Sequence, residues 1–311
     1  MEQPEVKDQG GIVASSGNDA PASVVSAAPP TAISVAPKAC PTFGTGPASN
    51  GGSATTPKYI YAIGRIEPRF PRQSVEKEFV QATGRAATAG LTDRQAVQKV
   101  LSQRQNRYLA RQLCWVMTIE GLETYILTPR DPADLDLLVE ALRPTPQPWD
   151  LDCVIGVRGP VAGPDICNGL MVPIVAFDQI YSFDRDALIK AIPKPEKTSA
   201  KDFTPASEEL FDRIMQMADN AGATDEHRAL NYLAVRYPAI YAAAADAFAG
   251  NASLTGVDVT PSPLSGTRNV VNVVFSYTNR TTDVTEKFFC RVDVTEEFPF
   301  LVTKLSPYYD R

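Results

Sequence analysis

The chain has 311 residues, 44% of them hydrophobic, and a formal net charge of −6. It is long enough to bury a sizeable core in one or two domains, and its acidity disfavours a general nucleic-acid binder. No apolar run approaches the roughly 18 residues that span a bilayer, so we expect no membrane association. The N-terminus MEQPEVKDQGG lacks the basic start and apolar stretch of a secretory signal, which predicts a cytoplasmic protein.

The cysteines give little sign of a metal site. Five are present, no CxxC pair occurs, and His227 is the single histidine. Buried, reduced thiols are the expected state in a cytoplasmic protein. A metal site shared by Cys153 and Cys167 is a weak alternative, and no cofactor is predicted.

Residues 1–57 form a low-complexity segment of Ala, Ser, Gly, Pro, Thr and Val with little charge. Such a composition buries too little apolar surface to offset chain entropy. We therefore predict a disordered linker or tail here, and ordered structure from Lys58 onward.

The first ordered region, residues 58–192, predicts a lobe of mixed helices and strands. A strand over 59–66 precedes a helix over 74–81, and Thr92 with Gln95 forms a capping box for the next helix. Two β-rich runs flank Glu120-Gly121 and predict a hairpin. Two further strands, DCVIGVRGP and LMVPIVAFDQIYSF, precede a short helix over 184–191.

Residues 193–204 read as a polar, proline-containing connector, and residues 205–311 as a second lobe. Helices are expected from Thr204-Pro205, from near Thr224, and up to about Ala249. Alternating apolar residues then predict a C-terminal antiparallel β meander whose last strand lies near 300–305. The predicted class is α+β, with a mixed N-terminal lobe, a helical segment and the meander.

Positive charge is concentrated early in the ordered chain. Residues 58–111 hold 11 basic and 4 acidic side chains, a net charge of +7. It begins in KYIYAIGRIEPRFPR and continues through Arg85, Arg94, Arg104, Arg107 and Arg111. These arginines either form internal salt bridges or bind an acidic peptide or carboxylate, for which the guanidinium fork is suited.

The sequence contains no recognised catalytic motif: GxSxG, HExxH, a P-loop and GxGxxG are all absent. We therefore predict no catalytic residues. The candidate residues for binding an acidic ligand are Arg65, Glu67, Arg69, Arg72, Arg158 and Asp178. An enzyme of unrecognised type stays an alternative, with Glu67, Arg69, Arg158 and Asp178 at strand ends as its converging polar groups.

Several long stretches carry a family resemblance. They include YIYAIGRIEPRFP, SVEKEFVQATGR, LSQRQNRYLARQLCWVMTIEGLETYIL, RDPADLDLLVEALRP and ELFDRIMQMADNAGATDEHRALNYLAVRYPAIY. Over residues 58–311 the chain resembles the C-terminal domain of the PatA/PatG cyanobactin maturation proteins of cyanobacteria. That domain has no assigned chemistry, and the subtilisin-like protease domain of those proteins has no counterpart here.

The resemblance implies an accessory domain in the maturation of a ribosomal peptide natural product (a RiPP), and it implies no peptidase. As partners we expect the precursor peptide or a subtilisin-like maturation protease. A structural domain that forms homodimers is a further alternative.

Overall fold

The computed structural model describes residues 58–85, 88–194 and 199–309, so the predicted linker 1–57 and part of the predicted connector lie outside the described residues. Within them the chain forms eight α-helices and nine strands, which confirms the α+β class. The strands are β1 Tyr59–Arg69, β2 Cys114–Ile119, β3 Leu122–Pro129, β4 Asp150–Val161, β5 Pro173–Asp184, β6 Ala252–Pro261, β7 Val270–Asn279, β8 Thr285–Asp293 and β9 Phe300–Pro307. The helices are α1 Gln73–Arg85, α2 Asp93–Ser102, α3 Arg107–Gln112, α4 Leu135–Glu140, α5 Arg185–Ala191, α6 Ala200–Met215, α7 Asp225–Arg236 and α8 Ala239–Ala249.

Strands β1 to β5 close into a barrel of order β1-β2-β3-β5-β4. Every neighbouring pair is antiparallel except β3 and β5, which run parallel over Ile126–Pro129. The predicted hairpin joins β2 to β3, and Glu120 and Gly121 both have positive φ, as its tight turn requires. Closure leaves no open strand edge in this sheet.

Strand β1 changes partner halfway along its length. Its first half pairs with β4 as far as Gly64 opposite Asp152, and its second half pairs with β2 from Arg65 onward. Beyond the end of the β4 ladder, the buried carboxylate of Asp152 accepts from the backbone N–H of Ile66 at 2.9 Å and from the Ser182 hydroxyl at 2.6 Å. Burial nevertheless raises the pKa of Asp152 to about 6.

The capping box predicted at Thr92 is confirmed. Thr92 and Gln95 form a reciprocal capping box at α2, with Gln95 Oε1 accepting from the Thr92 N–H at 3.0 Å. Asp131 caps a 3-10 turn, Pro132–Asp134, that leads into α4. Helices α1 to α4 pack with alternate barrel residues such as Ile60 and Ala62 in one large core.

Helix α6 begins earlier than the sequence predicted. We expected a start at Thr204-Pro205, but the helix starts at Ala200, within the predicted connector, and contains Pro205. Two features compensate for the loss of the backbone hydrogen bond that the proline removes. Ser199 caps the helix by accepting from the Asp202 N–H at 3.3 Å, and Phe203 is fully buried.

Strands β6 to β9 form the predicted meander as a four-stranded antiparallel sheet, in which β6 is an additional first strand. Helices α6, α7 and α8 pack against one face of this sheet. The shared core includes Phe203, Leu210, Leu233, Phe275 and Val292.

Buried polar contacts join the helices to the barrel. Asn231 of α7 is fully buried and donates to the Tyr61 carbonyl at 2.8 Å, and its amide exchanges hydrogen bonds with that of Asn220. The Tyr61 N–H donates to the Gly222 carbonyl at 2.9 Å. A Cβ at Gly222, whose φ is +68°, would overlap the backbone of Tyr61 and Ala62, so only glycine fits this approach.

The predicted reduced state of the cysteines is wrong for two of them. Cys114 and Cys167 form a disulfide with a Cα–Cα separation of 5.6 Å. The bond ties the first residue of β2 to the loop between β4 and β5. The 53 residues that separate the two cysteines hid this pairing from sequence reasoning. Cys153 and Cys290 are buried free thiols.

No helix in the described part of the chain combines the length and the apolarity needed to cross a bilayer.

Candidate functional site: the basic surface of the barrel

Arg65, Glu67 and Arg69 alternate along β1 and therefore lie on one face of the strand. Two of the three are engaged by the protein itself. The Arg65 guanidinium donates to the Pro148 carbonyl, and Arg69 forms an ion pair with Glu123 of β3. Both arginines remain exposed, but the chain already supplies partners for part of their donor capacity.

Glu67 lies between two cavities. One, of 680 Å³, is lined by Glu67, Arg69 and residues of the disulfide loop such as Asn168. The other, of 340 Å³, is lined by Arg65, Glu67 and the half-exposed Trp149. The structure thus brings Arg65, Glu67 and Arg69 together.

The other predicted binding residues are dispersed. Arg72 is exposed just before α1 and lines neither of these cavities. Arg158 is exposed near the end of β4. Asp178, on β5, accepts from Arg130 at 2.9 Å. The four residues of the enzyme alternative therefore do not line one cleft.

Asp178 belongs to a carboxyl pair with Glu297, whose side chain is 14% exposed. Burial and the neighbouring Asp178 raise the pKa of Glu297 to about 7, although Arg130, 3.6 Å away, opposes the shift. Glu297 Oε1 and Asp178 Oδ2 are both buried without a donor among the described residues. When Glu297 is protonated, one proton between the two carboxyl groups satisfies both oxygens, and the pair then connects β5 to the loop after β8.

The structure does not bring Cys153 and Cys167 together. Cys153 packs with Tyr61, Ile63 and Ile155, whereas Cys167 is bonded to Cys114 beside Ile126. Burial raises the pKa of the Cys153 thiol to about 12. No cluster of three metal-ligating side chains occurs within residues 58–85, 88–194 and 199–309.

A second basic surface lies at α3 and the turn before it. Arg104 lies in a 3-10 turn, Arg104–Asn106, and Arg107 and Arg111 lie in α3, which follows directly. Their spacing of three and four residues places all three on one helical face. They line a cavity of 580 Å³ together with Ala133 and Asp136. We call this feature the α3 basic cavity.

The arginines of the α3 basic cavity are only partly neutralised. Arg107 forms an ion pair with Asp136, yet its Nη1 is buried with no acceptor among the described residues. Arg104 and Arg111 are exposed, and no described side chain forms an ion pair with either. Sequence reasoning counted these arginines in the basic region but did not select them. Their helical spacing was the signal that would have found them.

The fold and this surface define an α+β protein with a five-stranded barrel, a four-stranded meander and an open basic cavity on the barrel's covering helices. Residues 197–308 match the family model described as PatG C-terminal. The match confirms, for this part of the chain, the resemblance to the PatG C-terminal domain identified from the sequence.

A solved structure titled "PatG Domain of Unknown Function" extends the likeness to the barrel. It is 20% identical, superposes with a TM-score of 0.67, and the match covers 80% of this chain and 98% of that one. At this identity the likeness shows the shared fold. No curated protein matches the chain.

Proposed function

We propose that the chain is a non-catalytic recognition domain that binds an acidic peptide segment at the α3 basic cavity. The observation that carries the proposal is the pair of exposed arginines, Arg104 and Arg111, which flank Arg107 in one cavity and have no acidic partner among the described residues. A carboxylate in the cavity gains charge-assisted hydrogen bonds and supplies the acceptor that Arg107 Nη1 lacks.

The similarity to PatG supports a partner from peptide natural-product maturation. The precursor peptide of a cyanobactin-like natural product, or a subtilisin-like maturation protease, would present the acidic segment. On this proposal the domain works in the cytoplasm and acts on no bond itself. The Cys114–Cys167 disulfide is unusual for a reducing compartment, so its redox state inside the cell is a direct check on that location.

The binding test uses a fluorescein-labelled peptide rich in Glu and Asp, with fluorescence anisotropy at 50 and 200 mM salt. We expect binding that weakens at the higher salt, because screening reduces attraction between exposed charges. The double variant Arg104→Glu/Arg111→Glu should lose at least tenfold in affinity.

Two matched variants locate the site. Lys304→Glu/Arg213→Glu makes the same charge change outside the barrel region and should leave affinity nearly unchanged. Arg72→Glu reverses the charge of an exposed residue between β1 and α1 and should change the affinity less than threefold. Equal losses in all three variants, or binding indifferent to salt, would reject the α3 basic cavity as the site.

The enzyme alternative is tested by mass spectrometry. A precursor peptide incubated with the protein under varied cofactors keeps its mass if the domain only binds, and a changed mass favours the enzyme. The homodimer alternative is tested by sedimentation velocity, in which a concentration-dependent shift toward a species of twice the 33.7 kDa chain mass favours a structural role.

A further inference from the structure

Another cavity lies far along the chain from the basic arginines, between α8 and the β7–β8 hairpin of the meander. Its volume is 530 Å³. The cavity exists because α8 and the following turn contribute small residues, namely Ala243, Ala247, Gly250 and Ala252. Phe288 and Val284 provide its apolar wall on β8 and the preceding turn. The whole cavity belongs to the residues that match the PatG C-terminal family model.

The polar group at this cavity is an unpartnered hydroxyl. Tyr277 of β7 lines the cavity and is 3% exposed, and its phenolic oxygen has no hydrogen-bond partner among the described residues. Its ring packs edge-on against Phe288, with the centroids 6.2 Å apart. Burial raises the pKa of Tyr277, so the hydroxyl stays protonated and both donates and accepts. A buried hydroxyl left without a partner costs free energy that a ligand's polar group recovers.

The rim of the cavity is acidic. Glu286 lies directly opposite Tyr277 in the β7–β8 register, so both side chains extend from the same face of the sheet. Glu286 is exposed, and its carboxylate forms no ion pair with any described residue. Asp246 of α8 lines the opposite side. The nearby amide of Asn279 is already engaged, because it donates to the Gly250 carbonyl at 3.2 Å.

We propose that this α8–β8 cavity binds an arginine side chain of a peptide. The aliphatic stem packs on Ala247, Val284 and Phe288, and the guanidinium donates to the Glu286 carboxylate and the Tyr277 hydroxyl. The charge is opposite to that required by the α3 basic cavity, so the inference goes beyond the proposed function and does not depend on it.

The test uses two short peptides in isothermal titration calorimetry with the full chain. One is acetyl-Gly-Leu-Arg-Leu-Gly-amide, and the other carries citrulline, which has nearly the shape of arginine without its charge. We expect the arginine peptide to bind at least tenfold more tightly to the unaltered protein. Glu286→Gln should bring the two affinities within threefold of each other, because it removes the carboxylate and keeps the shape.

Two variants and a control complete the test. Tyr277→Phe should weaken the arginine peptide severalfold, and circular dichroism shows whether the variant folds. Ala247→Leu fills part of the cavity from a half-buried position on α8 and should weaken the binding of both peptides. Glu226→Gln removes an exposed carboxylate on α7 and should change nothing.

The outcomes separate cleanly. Equal affinity for the arginine and citrulline peptides, no binding of either at millimolar concentration, or an arginine preference that survives Glu286→Gln would each overturn the proposal. Binding of the acidic peptide to Arg104 and Arg111 is measured separately and is unaffected by these substitutions, so failure of one site does not imply failure of the other.

Discussion

The two halves of the described chain are stabilised in different ways. The barrel half, residues 58–194, is closed on itself by the β3–β5 pairing and linked internally by the Cys114–Cys167 disulfide. The helix–meander half, residues 199–309, has an open sheet and keeps Cys290 as a free thiol. The two halves contact each other through buried hydrogen bonds as well as apolar packing. The junction therefore has a specific geometry and is sensitive to single substitutions.

The largest predicted effect concerns the barrel half alone. Reducing the disulfide, or replacing it with Cys114→Ala/Cys167→Ala, releases a constraint across 53 residues. The chain-entropy relation for a loop of this length gives a loss of about 4 kcal/mol in the free energy of unfolding. Urea denaturation with and without dithiothreitol measures it.

The control for the disulfide is Cys290→Ala, which alters a free thiol in the other half and should leave the response to reductant intact. Superimposable unfolding curves under oxidising and reducing conditions would show that the disulfide contributes nothing to the barrel's stability.

The next effect concerns the junction. Asn231→Leu keeps similar volume but leaves the Tyr61 carbonyl and the Asn220 amide short of partners in a fully buried site. We expect a loss of about 3 kcal/mol in the free energy of unfolding, measured by chemical denaturation.

The matched substitution is Asn272→Leu, where a half-buried amide accepts from Arg291 at the surface of β7. There we expect a loss below about 1 kcal/mol. If the two variants proved equally stable, the junction would owe little to its buried amides.

A smaller, pH-dependent effect belongs to the Asp178–Glu297 pair. The pKa of Glu297 is about 7 in the folded protein against an ordinary value of 4.5, so the folded state binds this proton more tightly. Its contribution to stability is fully present below pH 4.5 and is lost as the pH rises through 7. Glu297→Gln mimics the protonated form, and we expect it to be more stable than the unaltered protein at pH 8 and equally stable at pH 4.5.

Thermal unfolding across pH 4.5 to 8 measures this difference. Asp246→Asn removes an exposed carboxylate of α8 and serves as the control for loss of a negative charge alone. A stability difference between Glu297→Gln and the unaltered protein that is the same at every pH would contradict the shared proton.

The smallest effect concerns the start of α6. Ser199→Ala removes the hydroxyl that accepts from the Asp202 N–H, and we expect a loss of about 1 kcal/mol in the free energy of unfolding. Ser306→Ala, on an exposed hydroxyl of β9, should cost much less. An unchanged stability in Ser199→Ala would indicate that burial of Phe203 alone fixes the helix start.

Local signals in the sequence predicted much of the fold. The Thr92 capping box, the Glu120-Gly121 turn and the alternation along β7 and β8 all depend on neighbouring residues, and the structure contains each of them. Barrel closure depends instead on β3 meeting β5 across more than forty residues, which no local pattern encodes. The start of α6 was misplaced because Pro205 is a stronger local signal than the burial of Phe203.

The candidate site shows the same limit. The sequence located the basic region correctly in the barrel half, but it favoured the arginines of β1, where the motif is conspicuous. Which arginines keep free donors depends on acceptors contributed from elsewhere, such as the Pro148 carbonyl for Arg65 and Glu123 for Arg69. The Tyr277 hydroxyl was likewise invisible, because an unpartnered group is a property of packing.

The close approach of Gly222 to the backbone of Tyr61 has a practical consequence for labelling. At Gly222, in the turn between α6 and α7, an added Cβ would overlap this backbone, so a label attached at that residue would displace α7 from the barrel. Gly266, between β6 and β7, has nothing within 4 Å of the position where a Cβ would stand. A single engineered cysteine at that turn would carry a fluorophore with which the proposed peptide binding can be tested while the packed interior stays undisturbed.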